Sequence, residues 1–206
     1  MIVAVKVGLG FKPSTNRLAG ETIISDSFNR ANSVSTVGTA DTGQPWVPSS
    51  GSTWGISGGQ IYCSSDVNVD SITMETSMRN YQISARLSSY SNKRYMNLIF
   101  HYYNDTTYLL ARVLNGNAEI YKLESGASIL ASAPVPVVDG QPYTLTVRCY
   151  GTNIVVNVDG VDYINYYLFG ADSTKFPPYT RVGLRLSKTG TPTVPTLAGN
   201  FVVKKL

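Results

Sequence analysis

Apolar and polar residues alternate with a period of two along most of this chain. The clearest run is Tyr95–Lys122, YMNLIFHYYNDTTYLLARVLNGNAEIYK. Three strands are predicted there, joined by turns at Asn104-Asp105-Thr106-Thr107 and at Asn115-Gly116, because such residues between apolar runs mark hairpins. Setting Tyr103 opposite Tyr108 fixes the register of the first hairpin. Met96, Leu98, Phe100 and Tyr102 then share a dry face with Leu109, Ala111 and Val113. The other face carries Asn97, Ile99, His101, Tyr103, Tyr108, Leu110 and Arg112, with Glu119 opposite Arg112 and Tyr121 opposite Leu110. Side chains alternate strictly along a strand, so one face is core and the other is a mixed aromatic, polar and charged surface. Such a surface predicts a binding role.

The same period continues on both sides. Short strands are predicted at Thr22–Phe28, Thr73–Met78 and Tyr81–Leu87, with a hairpin over Trp54–Tyr62 turning near Gly58-Gly59. A second hairpin pairs Tyr143–Tyr150 with Ile154–Asp159, Cys149 lying opposite Ile154, and Asp159-Gly160 turns into Val161–Asn165. Arg181–Ser187 points Val182, Leu184 and Leu186 inward, and Asn200–Lys204 closes the sheet. Ala127–Val138, interrupted by Pro134 and Pro136, reads as a loop or weak strand, and Tyr166–Phe176 as a short helical turn or an irregular loop. No amphipathic helix of ten residues or more can be traced. Many short strands with regular turns predict an all-β, antiparallel sandwich or barrel.

Two segments organise the chain. Residues 1–20 read as an extended N-terminal arm, whose start supplies Ile2, Val3, Val5 and Val7 as a strand-like docking element before Gly8, Gly10 and Pro13 break it. A bare apolar strand needs a partner, either this chain's own sheet or another subunit. Residues 21–206 read as one β domain.

Composition narrows the classes. Of the 206 residues, 43% are hydrophobic, enough for a large core, and only 15% are charged. The net charge is +4 and the isoelectric point about 9.0, but the basic residues are scattered singly, so no nucleic-acid stripe forms. Two cysteines, Cys63 and Cys149, are too few for a disulfide framework or a zinc site; they read as small buried hydrophobes, with a single bridge left open. The start lacks a basic leader and a cleavage motif, so no export signal is read from it, and no stretch is long and apolar enough to span a membrane.

Several stretches occur in one order: Asp26–Ala31, Gly38–Trp46, Trp54–Gln60, Phe100–Tyr102 with Tyr108–Val113, Tyr143–Arg148, Val156–Val161 and Arg181–Arg185. Together they resemble the concanavalin A-like lectin/glucanase superfamily in its laminin-G-like branch, over about residues 22 to 206. The resemblance implies a two-sheet jelly roll with glycans bound on or beside the concave sheet. It also implies settings in secreted polysaccharide-active proteins or in the virions of tailed bacteriophages. Members often hold calcium in a rim loop. Asp66 and Asp70 are the candidates here, but two carboxylates make a thin ligand set, and a solvated loop with no cofactor is the expectation.

Chemistry separates binding from catalysis. Glycoside hydrolysis needs paired carboxylates, and the alternating Glu-Asp-Glu triplet of the superfamily's glucanases has no counterpart in this sequence. Glu119 is the sole carboxylate on the mixed face, and a neighbouring arginine favours the ionised form, the opposite of what a general acid needs. His101 is the one histidine, and no Gly-x-Ser-x-Gly accompanies it. The expectation is therefore a non-catalytic protein whose contact residues are His101, Tyr103, Tyr108, Arg112, Glu119 and Tyr121. Two partners remain open for them, a host-surface glycan or another virion subunit in an oligomeric particle, because Tyr and Arg serve both. A virion assembled in the host cytoplasm is the expected location. The competing reading is an extracellular polysaccharide-active enzyme or its carbohydrate-binding accessory domain.

Overall fold

The computed structural model describes residues 20–63, 69–88, 94–138, 140–188 and 197–206. Residues 1–19 of the arm, with its four docking residues, lie outside them, as does Asp66. In chain order the strands are β1 (Thr22–Asp26), β2 (Val47–Pro48), β3 (Trp54–Ser57), β4 (Gln60–Cys63), β5 (Val69–Glu75), β6 (Tyr81–Ser88) and β7 (Arg94–Asn104). They continue as β8 (Thr107–Leu114), β9 (Asn117–Glu124), β10 (Ala127–Pro134), β11 (Pro142–Tyr150), β12 (Asn153–Val158) and β13 (Val161–Tyr167). A one-turn helix, α1 (Asp172–Lys175), precedes β14 (Arg181–Lys188) and β15 (Ala198–Lys205).

Two antiparallel sheets form a sandwich. One runs β13-β12-β11-β6-β15-β4-β3, with β1 also pairing β15; the other runs β10-β9-β8-β7-β14-β5-β2. Early and late strands interleave: β15 pairs β6, and β14 lies between β7 and β5. The core fills the space between the sheets with alternate residues of each strand. Tyr81, Ile83, Ala85 and Leu87 of β6 are buried, as are Met96, Leu98 and Phe100 of β7 and Leu145, Val147 and Cys149 of β11. Cys63 and Cys149 are both buried and are not bridged to each other, and burial pushes the Cys149 thiol up to about 12.

Three two-residue turns have the backbone their sequences predict. Asn115-Gly116, Gly58-Gly59 and Asp159-Gly160 all have both residues at positive φ, the mirror-image turn that matches strand twist. The pairing of Cys149 with Ile154 is also as predicted.

The motif around Asp26 proves to be a structural knot. Its carboxylate, 1% exposed, accepts from the Phe28 amide at 2.8 Å and the Trp46 indole at 2.7 Å, and Arg30 binds both oxygens at 2.8 Å. One buried charge thus ties the end of β1 to the segment carrying Trp46, and it is satisfied on every side.

Three expectations change. Ala127–Pro134 is a full strand, held by β9 with a bulge between Ile129 and Ala131. β13 extends to Tyr167, and the turn after it holds α1, anchored by Lys122 to Asp172 at 2.8 Å and by Lys175 to Glu124. The third change, in the β7–β8 hairpin, alters the site.

Candidate functional site on the outer face of the second sheet

At the hairpin tip Asn104 pairs with Thr107, as Tyr103 opposite Tyr108 requires, but Phe100 pairs with Leu109. Three residues of β7, His101 to Tyr103, therefore oppose Tyr108 alone. His101 absorbs the excess with φ of 49°, a left-handed conformation that histidine tolerates better than branched residues do. The bulge exchanges faces. His101 turns inward, fully buried between Tyr81 and Phe100. Its Nδ1 donates to the Tyr179 carbonyl at 3.0 Å, and burial lowers its pKa to about 4. Tyr102, predicted for the dry face, moves to the opposite side. Tyr103 is 60% exposed and stacks on Tyr179 with ring centroids 4.9 Å apart, off the layered face.

Tyr108, Arg112, Glu119 and Tyr121 stay together as predicted. Glu119 lies opposite Arg112 and Tyr121 opposite Leu110. Arg112 Nε meets Glu119 at 2.6 Å, and its guanidinium carbon lies 4.5 Å from the Tyr121 ring centroid and 5.8 Å from that of Tyr95.

Strand neighbours add residues that the linear reading left out. Inward Val182, Leu184 and Leu186 put Arg181 and Arg185 of β14 on this face. There β14 pairs β7, with Arg185 opposite Asn97 and Arg181 opposite Tyr102. Gly183 between them is a point of close approach: a Cβ there would lie 2.1 Å from the Ile72 carbonyl oxygen of β5.

The face is drier than alternation implied. Ile99 and Leu110 form a fully buried floor, and Tyr102, Tyr108, Tyr121 and Leu123 pack around them as a second apolar cluster. Tyr102 and Tyr108 stack at 6.0 Å; Arg181 lies 5.4 Å from the Tyr102 centroid, and Arg185 lies 5.4 Å from that of Tyr108. Guanidinium planes and phenol rings thus roof the floor through cation–π contact. Burial pushes the Tyr108 phenol up to about 12, so its hydroxyl keeps its proton at neutral pH.

This layer leaves polar atoms unsatisfied. Asn97 Nδ2 donates to the Arg185 carbonyl at 2.9 Å and to Ser187 Oγ at 3.1 Å, while its Oδ1 has no partner. Among the described residues, Tyr108 Oη and Arg185 Nε are likewise buried with no third group on them, and the Arg185 guanidinium interacts with the Tyr108 hydroxyl. Three such atoms lie on one patch, and each costs about 1–3 kcal/mol where it stays dry. For the metal candidates, Asp70 is buried with Cys63 Sγ at 3.0 Å. Among the described residues no group of three His, Cys, Asp or Glu side chains stands close enough to hold a metal.

No family model and no curated protein sequence matches this chain. Solved structures do match its fold, which is that of carbohydrate-binding modules and glucanase-type jelly rolls. The carbohydrate-binding module CBM66 from Bacillus subtilis superposes with a TM-score of 0.63 at 16% identity, covering 78% of this chain and 95% of that one. Domain 4 of AbnA, an extracellular arabinanase from Geobacillus stearothermophilus bound to arabinotriose, gives 0.59 at 12% identity, over 90% and 93% of the two chains. The laminarinase from Rhodothermus marinus gives 0.57 at 11%, over 91% and 98%. At these identities the likeness establishes the fold alone.

Proposed function

We propose that this protein is a non-catalytic glycan-binding module whose site is the layered face of the second sheet. The observation that carries this reading is the layer of tyrosine rings and guanidiniums over an apolar floor, with Tyr121 under Arg112 and Tyr102 under Arg181. A sugar presents hydroxyls to the half-buried Arg112 and Arg181 and a C–H face to the half-buried Tyr121. Binding modules and hydrolase accessory domains among the structural neighbours support it. Glu119 supports binding over hydrolysis, because its carboxylate is engaged by Arg112 and serves to orient that guanidinium over Tyr121.

The test is a panel of immobilised neutral and acidic polysaccharides, read for both retention and release of reducing ends. Retention without release is expected. Tyr121→Ala should weaken it about tenfold, equivalent to about 1.4 kcal/mol. Reducing ends released by the wild type and lost in Glu119→Gln would instead favour the polysaccharide-active enzyme reading.

A bacteriophage particle is the setting we propose for the module. The support is the resemblance of its motif series to a superfamily whose members include virion proteins, together with the strand-like pattern of Met1–Val7. Purified virions should contain the protein in stoichiometric amounts. Its absence from them would end this part of the proposal and leave glycan binding standing.

A further inference from the structure

Charge on the layered face is out of balance. Arg112, Arg181 and Arg185 all lie on it, and among the described residues only Arg112 has a carboxylate partner, Glu119. Arg185, 8% exposed, spends Nη1 on the Ser187 hydroxyl at 2.9 Å. Arg181 donates to the Thr73 hydroxyl at 2.8 Å. Neither forms an ion pair among the described residues. Glu75 is the register partner of Arg181 but accepts from the Ser77 amide at 2.7 Å, and Asp105 accepts from the Tyr102 hydroxyl at 2.8 Å.

A guanidinium stays charged under all physiological conditions, and a buried one without a counter-ion is costly. Arginine binds a carboxylate or sulfate best with two parallel N–H groups. At Arg185 the Nε–H edge of that fork is the part left without a partner. Tyr108 Oη, beside it, adds a neutral donor. Arg181 and Arg185 are four residues apart on one strand, roughly 13 Å, with the Tyr102–Tyr108 stack reaching between them.

We propose that the ligand is an anionic polysaccharide, its rings laid against the half-buried Tyr121 and its acid groups held by Arg181 and Arg185. This rests on the glycan-binding reading above and adds the charge of the ligand to it. Because Arg185 is nearly covered, binding takes a rotamer change of its side chain, which moves the guanidinium off or along the Tyr108 ring.

Matched pairs of immobilised polymers test it: polygalacturonate against its methyl ester, and dextran sulfate against dextran. The acidic member of at least one pair should bind at least tenfold more tightly than its neutral counterpart, more weakly as salt rises. Preference confined to the first pair identifies a carboxylate ligand, and preference confined to the second a sulfate ester. Arg181→Met, at the less buried position, and Arg185→Lys, which keeps the charge but loses the fork, should each cost about tenfold on the acidic polymer. Arg181→Met should retain the wild-type melting temperature to within a few degrees. Equal binding to both members of both pairs, or acidic binding unaffected by either variant, overturns the anionic ligand while leaving glycan binding intact. No binding to any polysaccharide, neutral or acidic, overturns both.

Discussion

His101 shows how a single residue links the core to the site. Its left-handed backbone creates the bulge, and its ring, held by the Tyr179 carbonyl, replaces the core position that Tyr102 vacates. A carbonyl only accepts, so Nδ1 carries the proton, and the neutral ring leaves Nε2 buried and bare. Charging this ring would put a cation into the core, and its pKa accordingly falls from 6.5 to about 4. A group whose pKa is depressed by folding adds stability that is fully present above its unfolded value and lost as pH falls toward the folded one. Here the window runs from about pH 6.5 down to about pH 4. Between pH 7 and pH 5 this one group should remove about 2 kcal/mol, above the range in which ordinary carboxylates titrate. Urea unfolding of the wild type and of His101→Phe at the two pH values checks this: the variant should start less stable and lose less. An equal loss in both proteins would show that His101 is not the source.

At the scale of elements, what was legible in the sequence is what is decided locally. Alternation placed Leu98, Phe100, Leu109 and Ala111 in the core, and Asn115-Gly116 and Asp159-Gly160 announced their turns by the positive φ they tolerate. The ion pair of Arg112 with Glu119 was also legible, because a two-residue turn fixes both register and facing. The bulge was not, since the signals that favour it, Tyr81 and the Tyr179 carbonyl, are 20 and 78 residues away. Strand β10 escaped for a related reason: prolines and small residues give it little propensity of its own, and β9 supplies its partner. Arg181 and Arg185 illustrate the boundary well. Their outward direction follows from inward Val182, Leu184 and Leu186, yet nothing local says that β14 lies beside β7. Half of the site was therefore readable as a hairpin, and the other half depended on a long-range pairing.

Across the whole molecule, the two apolar clusters are built from the same strands. Leu98 and Phe100 of β7 and Leu109 and Ala111 of β8 feed the core between the sheets, whereas Ile99, Tyr108 and Leu110, interleaved with them, form the floor of the site. Neither cluster can be lost while the other keeps its strands, so the site is as stable as the fold that carries it. The tryptophans report the main core alone, where Trp46 and Trp54 sit, whereas tyrosines occur in both clusters, Tyr81 and Tyr143 in the main core and Tyr102 and Tyr108 in the second. Tryptophan emission and near-ultraviolet tyrosine dichroism should therefore report one transition in urea, with coincident midpoints, as a two-state domain requires. An earlier transition in the part of the tyrosine signal that Tyr108→Phe removes would show that the face melts alone and is not a preformed site. Ligand sharpens the test. A polysaccharide bound to the native face at a hundred times its Kd should stabilise the protein by about 2.7 kcal/mol. Because the strands are shared, both midpoints should rise together, including that of tryptophans that touch none of the sugar.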